Sequence, residues 1–150
     1  MTDITLREIT AATVNDILKL KVKPEQETFV ASNAKSIAQA HFEPRAWFRA
    51  IYADDVPVGF VQLIDDSDTP MYYIWRFMID AAHQRKGYGR RALQLVIDYA
   101  RARPNAKDVT LSFVPAEGGP EPLYRSMGFV PTGEIEEGEV VARLVFENAS

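Results

Sequence analysis

The segment of this chain best suited to do chemistry reads Gln84-Arg85-Lys86-Gly87-Tyr88-Gly89-Arg90. If a helix starts here, its first amides lack internal partners and its aligned peptide dipoles make that end partially positive, a place for an anion. Gly87 and Gly89 remove the side chains that would hold a diphosphate away from the backbone. Arg85, Lys86, Arg90 and Arg91 add positive charge, although any that point outward are simply solvated. The same letters fit a dinucleotide fingerprint: Gly87-Tyr88-Gly89-Arg90-Arg91-Ala92 reads G-x-G-x-x-A, and Asp108 stands near the distance expected of a ribose-binding acid. Context disfavours that assignment, because Asp108 opens the next strand-like segment instead of closing it. The loop contains no G-x-x-x-x-G-K-[ST], so a P-loop is excluded more firmly. His41 and His83 have no partner at helical ligand spacing and there is no cysteine, so no metal site is expected.

Such a loop must be held between a strand and a helix, and the flanking residues supply both. Tyr72–Asp80 is a long aromatic and aliphatic run, apolar on both faces, which predicts a strand in the middle of a sheet. From Gly89 the period becomes helical: Leu93, Val96, Ile97 and Ala100 fall at i, i+3, i+4 and i+7, and Pro104-Asn105 ends the run. Upstream, Ile4–Ile9 alternates as a strand, and Thr13 or Asn15 can cap a short helix through Leu20. Pro24 breaks that helix, and a second is predicted over Ala34–Ala40. Trp47–Tyr52 and Val56–Leu63 form a hairpin around Ala53-Asp54-Asp55, followed by a turn at Asp65–Pro70. Asp108–Val114 reads as strand and Pro120–Met127 as a short helix. Phe129–Ile135 and Glu139–Phe146 make a last hairpin around Glu136-Glu137-Gly138. The predicted fold class is α/β (α+β), a mixed sheet of about seven mostly antiparallel strands with about four helices. No repeat or linker interrupts it, so residues 1–150 read as one domain.

Bulk properties narrow the function. Hydrophobic residues at 47% and charged residues at 25% fit an ordinary globular protein, with no run long enough for a membrane span. A net charge of −4 argues against a nucleic-acid binder, which needs a basic surface, and is compatible with a cationic small molecule. The opening Met-Thr-Asp-Ile-Thr-Leu-Arg-Glu lacks the basic head and apolar stretch of a signal peptide, so a cytoplasmic protein is expected.

Two motifs in order and spacing resemble the GCN5-related N-acetyltransferase (GNAT) superfamily. Gln84-Arg85-Lys86-Gly87-Tyr88-Gly89 matches its Q/R-x-x-G-x-G/A, and Leu123-Tyr124-Arg125-Ser126-Met127-Gly128-Phe129 matches its L-Y-x-x-x-G-F. More narrowly, Trp75-Arg76-Phe77-Met78-Ile79-Asp80, with Val22-Lys23-Pro24-Glu25-Gln26 and Phe29-Val30, is similar to bacterial diamine and spermine/spermidine acetyltransferases. The resemblance implies an acetyl-CoA-dependent transfer to a primary amine, with the pyrophosphate on Gln84–Arg90. It further implies that Tyr72–Asp80 splays from Asp108–Val114, leaving a V for the pantetheine arm. Backbone groups of Phe77, Met78 and Ile79 would pair with that arm, one amide serving as an oxyanion donor. Homodimerisation is common among similar proteins and is the expectation here.

The reaction so implied needs an amine freed of a proton and a donor for the departing thiolate. Tyr124 is placed by the resemblance to be that donor; without the motif it would read as a core tyrosine with a hydroxyl at the surface. The chain departs from the family at Ala116-Glu117-Gly118-Gly119-Pro120-Glu121-Pro122, where an asparagine is common. No base stands out among Glu25, Glu27, Asp80 and Glu117. Glu25 and Glu27 are the candidates for attracting a cationic acceptor, with Tyr73 and Trp75 shaping its wall. Alternative acceptors are an aminoglycoside, an amino acid or a protein N-terminus, and the contrasting function is an acyl-CoA-binding sensor without turnover.

Overall fold

The computed structural model describes residues 2–27 and 31–146, so Phe29 and Val30 of the resemblance above lie outside the described residues. Along the chain run β1 (Ile4–Arg7), α1 (Val14–Leu18), α2 (Asn33–His41), β2 (Ala46–Ala53), β3 (Val56–Asp66) and β4 (Met71–Ile79). They are followed by α3 (Tyr88–Arg101), β5 (Asp108–Phe113), α4 (Glu121–Ser126), β6 (Val130–Glu136) and β7 (Glu139–Val145). The strands form one mixed sheet in the order β1-β2-β3-β4-β5-β7-β6. Every neighbouring pair is antiparallel except β4 and β5, which are parallel.

The apolar run expected in mid-sheet is β4, the fourth strand of seven, and both of its faces are covered. On one face Tyr72 and Ile74 join the core beneath α3; on the other Met78 packs with Ile17 of α1 and Phe60 of β3. The predicted stripe of α3 is the buried one: Leu93, Val96, Ile97 and Ala100 are at most 1% exposed. Burying a side chain such as Leu93 or Ile97 contributes about 1.5–3 kcal/mol, so this stripe fixes α3, and hence the loop before it, against the sheet. The last hairpin turns at Glu137-Gly138, both with positive φ (50° and 81°), the geometry of a tight I′ turn. No helix among the described residues is long and apolar enough to cross a membrane.

Candidate functional site

The pairing of β4 with β5 is confined to Tyr73↔Thr110 and Ile74↔Leu111. Beyond those residues β4 continues on β3 alone and β5 on β7 alone, so the two strands diverge. A bulge causes the turn away. Gln62 and Leu63 of β3 face Arg76 and Ile74, leaving Trp75 as an extra residue, and such an insertion bends the strand that carries it. It also exchanges the faces: Phe77 and Ile79 join Ile74 beneath α3, while Arg76 turns to the α2 face and donates to Gln39 Oε1 at 3.0 Å.

The divergence opens a cavity of about 540 Å³, walled by Trp75–Ile79 of β4, by Ser112, Phe113 and Val114, and by Tyr124. The amide of Asp80 donates to Val58 O at 2.7 Å. By alternation the backbone groups of Met78 also turn to β3, whereas those of Phe77 and Ile79 turn to the opening. Of the three residues expected to offer backbone there, Met78 is therefore engaged in the sheet. Gln84 is occupied too: its Nε2 donates to Ile79 O and to Gln26 Oε1, both at 2.9 Å, tying the end of β4 to the turn at Pro24–Gln26. That leaves Phe77 N–H, Phe77 C=O and Ile79 N–H facing the cavity.

Where β4 ends, His83, Gln84, Arg85, Tyr88 and Gly89 continue the wall up to the start of α3. Gly87 is the N-cap residue with φ 79° and no side-chain cap, so the first amides of α3 are left for an outside acceptor. Lys86, Gly87 and Arg90 are exposed and off the wall. Arg90 reaches the other way, donating to Ser126 Oγ at 2.7 Å and to Met127 Sδ at 3.3 Å, and so braces α4 against α3.

Tyr124 sits on α4, 6% exposed, with its ring 5.9 Å from Phe113 and 6.0 Å from Phe129 between centroids. The helix closes in a Schellman motif: Phe129 N–H donates to Tyr124 O and Gly128 N–H to Arg125 O, both at 3.1 Å, with Gly128 at φ 104°. The glycine and phenylalanine of the second motif thus build the socket that aims Tyr124. Its hydroxyl has no protein partner among the described residues. Burial, with Glu139 and Tyr73 adding to it, pushes the phenol well above its ordinary value, so it stays protonated.

A strand that splays from its parallel neighbour, a glycine-bearing loop opening the next helix, and a tyrosine aimed into the gap coincide with the family match. A model of the acetyltransferase (GNAT) family matches residues 13–129. This chain belongs to the GNAT acetyltransferase family. A comparison with curated proteins finds no match, but solved structures share the fold. A domain from Methanocaldococcus jannaschii superposes with TM-score 0.77 at 16% identity, covering 97% of this chain and 100% of that one. A GNAT acetyltransferase from Elizabethkingia anophelis with acetyl-CoA bound gives 0.71 at 18%, covering 95% and 98%. Arabidopsis thaliana Naa50 with a bisubstrate CoA–peptide analogue gives 0.70 at 19%, covering 95% and 99%.

Within this GNAT fold the opposite side of the cavity departs from expectation. Glu25 and Glu27 are exposed and off the wall. Gln26 between them lines it, because Lys23 N–H and Gln84 Nε2 both hold its Oε1. Asp80 is taken by the amides of Lys21 and Ala82, and Glu117 is exposed and outside the cavity. Trp75 lines the cavity as expected. Tyr73 lies in an adjoining one of about 510 Å³ with Glu136, Glu137 and Glu139, its hydroxyl 2.6 Å from Ser112 Oγ. Burial raises the Tyr73 phenol above its ordinary range.

Glu139 lines both cavities and is the one carboxylate on the wall of the first among the described residues. Its place follows from register: Ser112 pairs with Val141, so Glu139, two residues on, shares the face on which Ser112 meets Tyr73. Lys35 of α2 and Arg76 complete that side. Reasoning from sequence missed all three. The one available signal was Arg76, a cation inside an otherwise apolar strand.

Proposed function

We propose that this domain transfers an acetyl group from acetyl-CoA to the primary amine of a small molecule by direct attack in a ternary complex. The observation that carries this is the cavity between β4 and β5, which is lined by residues at the uncapped start of α3, by Tyr124 and by Glu139. The residues present fit the cofactor. Gly89 and Gly87 leave the backbone approachable, the free amides of α3 and the cation Arg85 suit a diphosphate, and Phe77 and Ile79 offer unpaired strand backbone. Acetyl-CoA supplies an acetyl group activated as a thioester.

One amide of the pair Phe77 and Ile79 acts as the oxyanion donor, fixed by β4 before any charge develops. An alkyl ammonium has a pKa of about 10.4, so the acceptor must lose a proton before it attacks. Glu139 holds the ammonium and passes the proton to water in the adjoining cavity, which it shares with Glu136 and Glu137. Tyr124, protonated at all ordinary pH values, gives its proton to the leaving sulfur, whose thiolate resembles a cysteine's with a pKa of about 8.5. Thiol release against a panel of amines tests the proposal. Release that depends on both acetyl-CoA and one amine class is expected; acetyl-CoA binding with no release on any class overturns transfer in favour of a sensor.

A further inference from the structure

The acceptor side of the cavity carries Lys35, Arg76 and Glu139, and neither cation has a carboxylate within ion-pairing distance among the described residues, Glu139 reaching Arg76 only through its longer-range field. Arg76 is half-buried, yet its guanidinium meets only neutral acceptors: Trp75 O at 2.9 Å and Gln39 Oε1 at 3.0 Å. Its Nε is buried without a partner, and among the described residues no carboxylate lies within ion-pairing distance of it. Lys35 precedes Gln39 by four residues on α2, so the two share one helix face and Lys35 stands a turn from the group that holds Arg76. Lys35 also lacks an ion-pair partner among the described residues, and both cations line the cavity.

A diphosphate does not account for Arg76. The bulge at Trp75 turns it to the α2 face, away from Phe77, Ile79 and the loop at the start of α3. Leaving a charged group desolvated and unpaired is costly, so an arginine in this position is matched by an anion that arrives with a ligand. The guanidinium fork suits a carboxylate. Glu139 of β7 lines the same cavity. A wall that carries two cations and a carboxylate complements a small molecule bearing both an anion and an ammonium.

Resting on the acetyltransferase proposal above, we infer that the acceptor is a small amino acid: its carboxylate is held by Arg76 and Lys35, and its amine is presented to Glu139. This disfavours a simple diamine or polyamine, for which the two cations are repulsive.

The test compares compounds that differ only in the carboxylate: lysine with cadaverine, ornithine with putrescine, and phenylalanine with phenethylamine. Each is titrated calorimetrically into the full chain loaded with CoA, so that no turnover is needed, and each is then assayed for thiol release with acetyl-CoA. In at least one pair the carboxylated member should bind about tenfold more tightly, the equivalent of one charge-assisted contact. Arg76→Gln should weaken the carboxylated member more than its partner, and Arg76→Lys should restore part of the difference, with thermal unfolding confirming that both variants fold. Equal or tighter binding of the decarboxylated members, no binding by any of them, or a preference untouched by Arg76→Gln overturns the inference. Carboxylate-dependent binding without thiol release would instead remove the transfer proposal and leave standing the carboxylate subsite at Arg76 and Lys35, with the amino acid as ligand and not acceptor. Release without any carboxylate preference would do the reverse.

Discussion

Tyr124 and Glu139 line the same opening and are assigned opposite duties, so their substitutions should separate. Tyr124→Phe keeps the ring between Phe113 and Phe129 and removes only the proton. It should lower kcat by roughly 10²-fold or more with acetyl-CoA affinity unchanged. Unchanged turnover would remove Tyr124 from the chemistry. Glu139→Gln should reduce kcat/KM for the amine while leaving acetyl-CoA titrations alone, and equal kinetics in both proteins would dismiss it as base or amine anchor. These two residues were not equally legible. Tyr124 is announced by a local motif whose glycine and phenylalanine form its socket. Glu139 reaches the cavity only because β7 pairs with β5 in the observed register, a long-range fact that no local spacing encodes. Glu25 and Glu27 illustrate the converse: their segment borders the cavity, but the turn at Pro24–Gln26 presents Gln26 to it and leaves the acids in solvent.

At the scale of elements, glycines mark where the framework tolerates change and where it does not. A Cβ on Gly89 would lie 3.6 Å from Ile79 Cγ1 and Leu123 Cδ2, ordinary contacts, in a helix that disfavours glycine. Gly89→Ala should therefore fold and bind acetyl-CoA normally. Gly89→Leu should fold yet bind it weakly, because the longer side chain enters the cavity. Normal binding by the leucine variant would contradict the assignment of this loop. Gly128 is different: at φ 104° it ends α4, and an alanine there would be strained by about 1–2 kcal/mol. Gly128→Ala should lower the urea midpoint and slow thiol release together, since Tyr124 loses its socket; an unaltered midpoint would count against the Schellman closure. The amphipathic period of α3, the mid-sheet position of β4 and both hairpins follow from patterning and turn residues. The splay does not, because the bulge that produces it at Trp75 is a matter of register with β3, and its only trace in the run is the cation Arg76 beside it.

Across the whole molecule, buried phenols couple stability to alkaline pH. Burial raises Tyr72, Tyr73 and Tyr124, and it pushes Tyr99, which also donates to Asp65, up to about 12. An unfolded tyrosine ionises near about 10, so above that pH the native state binds more protons than the unfolded one. The tyrosine contribution is complete below about pH 10 and is lost as pH climbs towards the folded values. Urea midpoints should fall steeply between about pH 10 and pH 12, with ionisation of these four tyrosines appearing alongside unfolding; ionisation of these four near the ordinary pKa in the folded protein would contradict the burial. The same sheet that shelters these phenols holds the central claim, that the opening between β4 and β5 is built to hold acetyl-CoA. The most direct test is a calorimetric titration of acetyl-CoA into the folded wild-type chain. Saturable one-to-one binding is expected; the absence of saturable heat from properly folded protein would contradict it.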